Sequence, residues 1–200
     1  MMREEDFEEK TLERQEIFKG KIIEVVLDKV ALPKGGTSFR ELVFHPGGVA
    51  VIPITADNKI ILVKQFRKPM EQVLLEIPAG KIDPGEQQLP EVAAARELEE
   101  EIGMRAQELR LVTAAYLSPG FANEKLYIYF ADQLERVENP RPQDPDEVLE
   151  LHELTLAEAK TAIASGAICD IKTVCGIQYW ELETLKRRLG NGSETADHES

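Results

Sequence analysis

The residues best suited to chemistry are three glutamates in one short stretch. Between Pro90 and Gly103, Glu97, Glu100 and Glu101 stand at i, i+3 and i+4. A helix turning about 100° per residue brings these three onto one narrow face and directs Glu99 elsewhere. Crowding carboxylates in this way costs roughly 0.2–0.5 kcal/mol per pair on an exposed helix, and no lysine is interleaved to offset it. Arg96 alone can reach Glu100, at i+4. A solvated acidic face is the ordinary outcome for a Glu-rich helix. It leaves unexplained the small apolar run Val92-Ala-Ala-Ala95 and the glycine-flanked turn Gly80-Lys-Ile-Asp-Pro-Gly-Glu86. The sharper reading is a hard-cation site. Carboxylate oxygens ligate Mg²⁺, which typically binds through a few of them plus water and substrate phosphates. Such an ion can polarise a pyrophosphate and activate the attacking water.

The elements that must position this face can be read along the chain. Residues 1–14 are charged and are expected to be frayed or loosely packed. Lys21–Leu32 and Ser38–His45 read as strands of a hairpin turned at Pro33-Lys-Gly-Gly36. Val49–Thr55 and Lys59–Gln65 read as a second hairpin around Ala56-Asp-Asn58. A short strand, Val73–Ile77, leads into Pro78-Ala-Gly80. The helix is expected from Pro90, well suited to a first turn, to Ile102, with Gly103 as its stop. Leu109–Leu117 and Lys125–Ala131 are strands around the breaker Ser118-Pro-Gly120, and the polar, proline-rich 139–146 is a loop. Glu147–Leu154 reads as a strand, and Thr155-Leu-Ala-Glu158 as a capping-box start to a helix ending near Gly166. A longer amphipathic helix covers Asp170 to about Leu189. The expected class is α/β of the α+β type, a sandwich with a mixed sheet. The expected divisions are an N-terminal antiparallel β segment (1–46), a catalytic domain (47–189) and a disordered tail (190–200).

Bulk properties narrow the partners. Two hundred residues suffice for one domain with a real core. The formal charge of −13 argues against nucleic acid, which needs clustered Lys and Arg. No apolar run approaches the roughly 20 residues that span a bilayer, and the acidic N-terminus lacks a signal-peptide stretch. Cys169 and Cys175 lie in a segment that reads as helical, six positions apart, so a disulfide is not expected and a reducing, cytoplasmic setting is.

Residues 80–103 resemble the Nudix box: Gly, five residues, Glu, seven residues, then Arg-Glu-aliphatic-any-Glu-Glu-any-Gly. Gly80, Glu86, Arg96, Glu97, Leu98, Glu100, Glu101 and Gly103 match in type and order. One departure stands out, because nine residues rather than seven separate Glu86 from Arg96. Either the two extra residues are absorbed in Gln87–Glu91, or Gln88, which cannot be an anionic ligand, takes the place of Glu86. The resemblance implies a Nudix-like α/β/α sandwich and Mg²⁺ as cofactor, with Mn²⁺ as a substitute. It implies Glu97, Glu101, Glu100, Glu86 and the Ala79 carbonyl as metal ligands, with Arg96 holding the glutamates.

Outside the box, the run Gln65-Phe-Arg-Lys-Pro69 with Glu76-Ile-Pro-Ala-Gly80, the segment Ser118-Pro-Gly-Phe121, and Arg40-Glu41 are similar to the ADP-ribose pyrophosphatase subgroup. Pro119, sixteen residues beyond Gly103, falls where that subgroup has a proline. The resemblance covers about residues 15–185. It implies hydrolysis of ADP-ribose to AMP and ribose 5-phosphate by a homodimer, with Glu147 on a mobile acidic loop as base or further ligand. Arg67 suits a diphosphate, since guanidinium pairs with phosphate bidentately; a surface pair with Glu71 is the plain alternative. Phe18 is either a base-stacking residue, with Arg40 beside it, or ordinary packing. Glu124 either meets a ribose hydroxyl or is a surface acid. His45 and His152 have no nucleophilic partner and read as structural. Two rival functions stay open: a Nudix enzyme for another nucleotide sugar, NADH or a dinucleoside polyphosphate, and a non-catalytic ADP-ribose sensor.

Overall fold

The computed structural model describes residues 2–145 and 147–194. Its centre is the apolar strand β4 (Gly48–Pro53), every residue of which is buried. Alternation along a strand sends successive side chains to opposite faces, and β4 uses both. Ala50 and Ile52 join one core with Leu126, Ile128, Phe130, Ile168, Ile177 and Trp180. Val49 and Val51 join the other with Ala93, Ala94, Leu98 and Ile102. Helices therefore cover both faces. One layer is α1 (Pro90–Ile102); the other is α2 (Leu156–Ala164) with α3 (Ile171–Glu194).

Two sheets lie between the helices. In the first, β7 (Ala79–Lys81), β4, β10 (Lys125–Ala131) and β9 (Arg110–Tyr116) are adjacent in that order. The β4–β10 pair is parallel and its neighbours are antiparallel, so this sheet is mixed. The second places β5 (Lys59–Arg67) between β12 (Glu150–Thr155) and β6 (Gln72–Glu76), all antiparallel. A short pair, β8 (Met104–Ala106) with β11 (Leu134–Arg136), follows α1.

The hairpin expected at Ala56-Asp-Asn58 is a turn without a shared ladder. Thr55 and Lys59 close it, Asn58 takes φ 59°, and a single bridge joins Ile54 to Ile60. Beyond that bridge β4 and β5 part into different sheets. Both strands are apolar on two faces, and each is satisfied only by neighbours on both sides of its own sheet.

The N-terminal sheet is β1 (Lys10–Lys19), β2 (Glu24–Ala31) and β3 (Thr37–Phe44), all antiparallel. Residues 10–14 are not frayed, as they begin β1, preceded by a turn of 3₁₀ helix, Glu4–Phe7, but they are exposed throughout, as loose packing would have it. This polar strand is paired with β2 along its length, and its side chains are anchored at Asp28 of β2, 1 % exposed. Arg14 grips it with two bonds of 2.8 and 2.7 Å, and the Thr11 hydroxyl adds a third. The Arg14 hydrogen bonds hold the Asp28 carboxyl below its ordinary range.

At the other end, α3 continues to Glu194, beyond the expected stop at Leu189. The rest of the expected tail, 195–200, lies outside the described residues. Cys169 precedes α3 and only Cys175 lies within it; both are free and exposed. Among the described residues, no helix is long and apolar enough to cross a membrane.

Candidate active site

Helix α1 places its acids by simple periodicity. Ala94, Leu98 and Ile102 face the core, and Glu97 and Glu101 lie beside them at the edge of the same buried face, 8 % and 3 % exposed. Gly103 ends the helix in the left-handed region at φ 66°, its N–H donating to the carbonyls of Leu98 and Glu99. Glu99 points away, accepting a 2.9 Å bond from the Arg141 amide.

Strand β7 presses its backbone against this face. The Ala79 N–H donates to Glu101 Oε2 at 3.0 Å. A Cβ added at Gly80 would stand 2.0 Å from the Glu97 carboxylate, so no other residue fits there with Glu97 in place. Arg96 is the hub. Its guanidinium reaches Glu97 Oε1 and Glu100 Oε2 at 2.8 Å each, both Glu86 oxygens at 3.1–3.2 Å, and the Lys81 carbonyl at 3.0 Å. Burial alone would lower the Arg96 pKa, but these carboxylates raise it. The reciprocal hydrogen bond from Arg96 lowers Glu86.

The lengthened spacing before Arg96 is thereby explained. Glu86 closes a turn on Asp83, Leu89 closes the next on Glu86, and α1 starts at Pro90. The extra residues lie in this loop, where Gln87 and Gln88 are exposed, and Glu86 is the residue that meets Arg96.

Two carboxyls in the cluster are held far from their ordinary titration. Burial pushes Glu101 up to about 8, with the charges of Glu97 and Glu147 adding to it. Burial likewise pushes Glu97 up to about 7, against the opposing pull of Arg96. Glu147, on the loop before β12, thus lies close enough for its charge to act on both. The long loop and helix α1 converge although forty-six residues separate Glu147 from Glu101.

Buried, mutually repelling carboxylates suit a hard divalent cation, which would relieve both the burial and the repulsion. Among the described residues, no three acidic, His or Cys side chains form a ready-made cage. Arg96 and the Ala79 amide engage these carboxylates.

Arg67, at the end of β5, does not pair with Glu71, whose partner is Lys68. It makes bonds of 2.7 and 2.9 Å to Glu76, and its charge extends to Glu101. Glu76 itself is 2 % exposed, and the sequence shows it only as part of a run, with no role of its own. Strand alternation gives a buried acid no visible partner, and its second cation, Lys172, is ninety-six residues away.

The remaining residues gather on the N-terminal sheet. The Pro119 loop is hydrogen-bonded to β3 through Val43, Phe121 and Asn123, with Pro119 lining a shallow groove beside Phe44. Glu124 lies 3.7 Å from His45 Nδ1, which also accepts from the Gly47 N–H. Phe18 is 54 % exposed. Arg40 is engaged by Glu9 through Nε and Nη2 and by Ser38 and the Phe39 carbonyl through Nη1. No hydrogen bond or ion pair among the described residues links Phe18 or Arg40 to the α1 glutamates.

Comparison with known proteins agrees with this architecture. An ADP-ribose pyrophosphatase of Bacillus subtilis is 48 % identical over 88 % of this chain and 94 % of its own length. A methanol dehydrogenase activator of Bacillus methanolicus is also 48 % identical, over 91 % of this chain and 98 % of its own. A solved structure described as an ADP compounds hydrolase superposes with a TM-score of 0.77 at 23 % identity, covering 90 % of this chain and 95 % of that one. The model of the NUDIX domain matches residues 44–172, from the end of β3 into α3, and so contains the whole acidic cluster. With that match and those identities, the chain belongs to the NUDIX family.

Proposed function

We propose that this protein is a pyrophosphatase that hydrolyses ADP-ribose to AMP and ribose 5-phosphate with Mg²⁺ as its metal, Mn²⁺ substituting. The observation that carries the reading is the pair of buried carboxylates, Glu97 and Glu101, on one face of α1 with the charge of Glu147 acting on both. Glu97 and Glu101 hold the metal, with Glu100, Glu86 and the Ala79 carbonyl completing its surroundings. A divalent cation bound there supplies charge neutralisation of the diphosphate and polarisation of its phosphoryl oxygens. Arg67, whose charge acts on Glu101, contributes a positive charge held by Glu76 and grips a phosphate oxygen. A water attacks one phosphorus, forming a new P–O bond as the bridging P–O bond breaks. Glu147 accepts the proton of that water, and the departing phosphate leaves as a dianion. Catalysis of this kind is mostly positioning and electrostatics. The ADP-ribose preference is supported by the Bacillus subtilis relative, named for that activity, at 48 % identity over nearly its full length.

We further infer a homodimer formed through the N-terminal segment, 1–46. In β1, Leu12 and Ile17 stand at register shifts, where the strand carries a residue that β2 does not match, and both are more than half exposed. Phe7, Phe18 and Phe39 of the same segment are exposed as well, and exposed apolar side chains in such number are what a second subunit covers. Phe18 and Arg40 would then meet an adenine across the interface, with Pro119 and Glu124 beside the ribose. Two free cysteines fit a reducing, cytoplasmic setting.

The test is AMP release from ADP-ribose with and without Mg²⁺, beside NADH, a GDP-sugar and a diadenosine polyphosphate. Cation-dependent cleavage of ADP-ribose above the others is expected. Preference for another substrate would keep the chemistry and replace the substrate; binding of ADP-ribose without cleavage would make the protein a sensor. Glu101→Gln is expected to lower turnover roughly 10²–10³-fold with the fold intact, and a folded, fully active variant would overturn the assignment.

A further inference from the structure

Three charged side chains to which the proposed reaction gives no part, Glu76, Asp170 and Lys172, form one group with Arg67. Glu76 Oε1 accepts from Arg67 Nε, and Oε2 accepts from both Arg67 Nη2 and Lys172 Nζ. Lys172 lies also 3.0 Å from Asp170. Asp170 Oδ2 accepts from the amide and the hydroxyl of Thr173, at 3.0 and 2.6 Å. The Thr173 oxygen, fully buried, accepts in turn from the Ile77 N–H at 2.9 Å. The group contains two cations and two anions, and it joins β5, β6 and the start of α3.

Stabilisation is a weak account of such a cluster. Taking ions out of water costs about as much as their attraction returns, whereas the fixed geometry of a bidentate pair specifies position. Position is what the neighbouring site requires. Ile77 and Glu76 are held by α3, and two residues beyond Ile77 the Ala79 amide is held by Glu101 of α1. The stretch from Glu76 to Ala79 is therefore pinned at both ends. Arg67, whose charge extends to Glu101, is pinned by the same carboxylate.

We propose that Lys172 and Asp170 are positioning residues for the pyrophosphatase reaction, acting through Glu76 to fix the aim of Arg67 and the seat of the Ala79 strand against Glu101. The inference rests on the function proposed above. Neither residue needs to touch the substrate; both act through Glu76 on Arg67, which does.

The test uses the full chain with Mg²⁺ and ADP-ribose. Lys172→Met keeps the length of the side chain and removes its charge. KM is expected to rise about tenfold with kcat changed less than about threefold, as for a lost outer contact to a substrate-gripping group. Lys172→Arg restores KM to within about threefold of wild type. In an Arg67→Ala background, Lys172→Met adds less than about twofold, because the two act on one path. An equal rise in KM in both backgrounds overturns the proposal, as does a lowered melting temperature with KM unchanged. Failure of the wild type to cleave ADP-ribose is a separate result, against the functional reading. In that case a crystal structure of Lys172→Met decides: an unmoved Arg67 guanidinium overturns the positioning role, and a displaced one upholds it.

Discussion

Single residues explain why the acidic helix tolerates its own charge. Arg96 faces Glu86, Glu97 and Glu100 together, and its contact with Glu86 distinguishes the two ways of aligning the lengthened motif. Glu86→Gln is expected to lower activity about 10–100-fold, as removal of an outer partner of metal-binding groups does. Gln88→Ala, exposed and outside the cluster, is expected to leave kcat/KM unchanged; the reverse pattern would return the role to Gln88. The raised carboxyls also set a pH dependence. Glu97 and Glu101 titrate near 7 and 8 in the fold, against an ordinary 4.5. The folded protein thus binds more protons than the unfolded chain between these limits, and stability falls as pH rises through them. Asp28, Glu76 and Glu86, all shifted downward, act in the opposite sense at acid pH. Thermal melting of chelator-treated protein is expected to peak near the low end of this range and to decline from about pH 5.5 to 8.5. Added Mg²⁺ should flatten the decline, and a melting temperature that climbs over that interval would contradict the assignment.

At the scale of elements, legibility in the sequence followed the range of the forces. Helix α1 was legible to the residue because its limits are local: Pro90 begins it and Gly103 can adopt the backbone that ends it. The capping box at Thr155 and Glu158 was legible for the same reason, and both of its bonds are present. Strand β1 was not. Its sequence, Lys-Thr-Leu-Glu-Arg-Gln-Glu-Ile-Phe-Lys, has no apolar alternation, and its side chains are anchored at Asp28, fourteen residues from Arg14. The parting of β4 from β5 was equally hidden, since it is decided by which neighbours cover two-faced strands. Of the proposed site, the α1 acids were expected from the motif and Glu147 from the resemblance of its loop, whereas Glu76 and Lys172 are brought together only by the packing of α3. Arg14→Ala tests the account of β1. Its amides are expected to lose most of their hydrogen-exchange protection while those of β4 and β10 keep theirs, and unchanged protection in β1 would refute it.

At the scale of the molecule, the chain divides its labour between a two-faced core that carries the acids and an N-terminal sheet that presents apolar side chains outward. Leu12 and Ile17 lie at the irregular points of β1, where nothing within the chain requires them to be apolar. The double substitution Leu12→Lys, Ile17→Lys is expected to halve the mass measured by light scattering and to raise KM for ADP-ribose, with the melting of the core little changed. A wild-type chain that is monomeric at all concentrations would remove the dimer.

The guanidinium of Arg96 carries one more consequence, for how such a protein is supplied with its metal. The chain brings its own countercharge to Glu86, Glu97 and Glu100, so the acidic face can be assembled during synthesis with no ion at hand. Folding and metal acquisition become separate events, unlike in domains whose structure waits for a bound ion. On the proposed function, a cell short of magnesium would hold a stock of finished, idle protein, ready to begin work as soon as the ion concentration recovers.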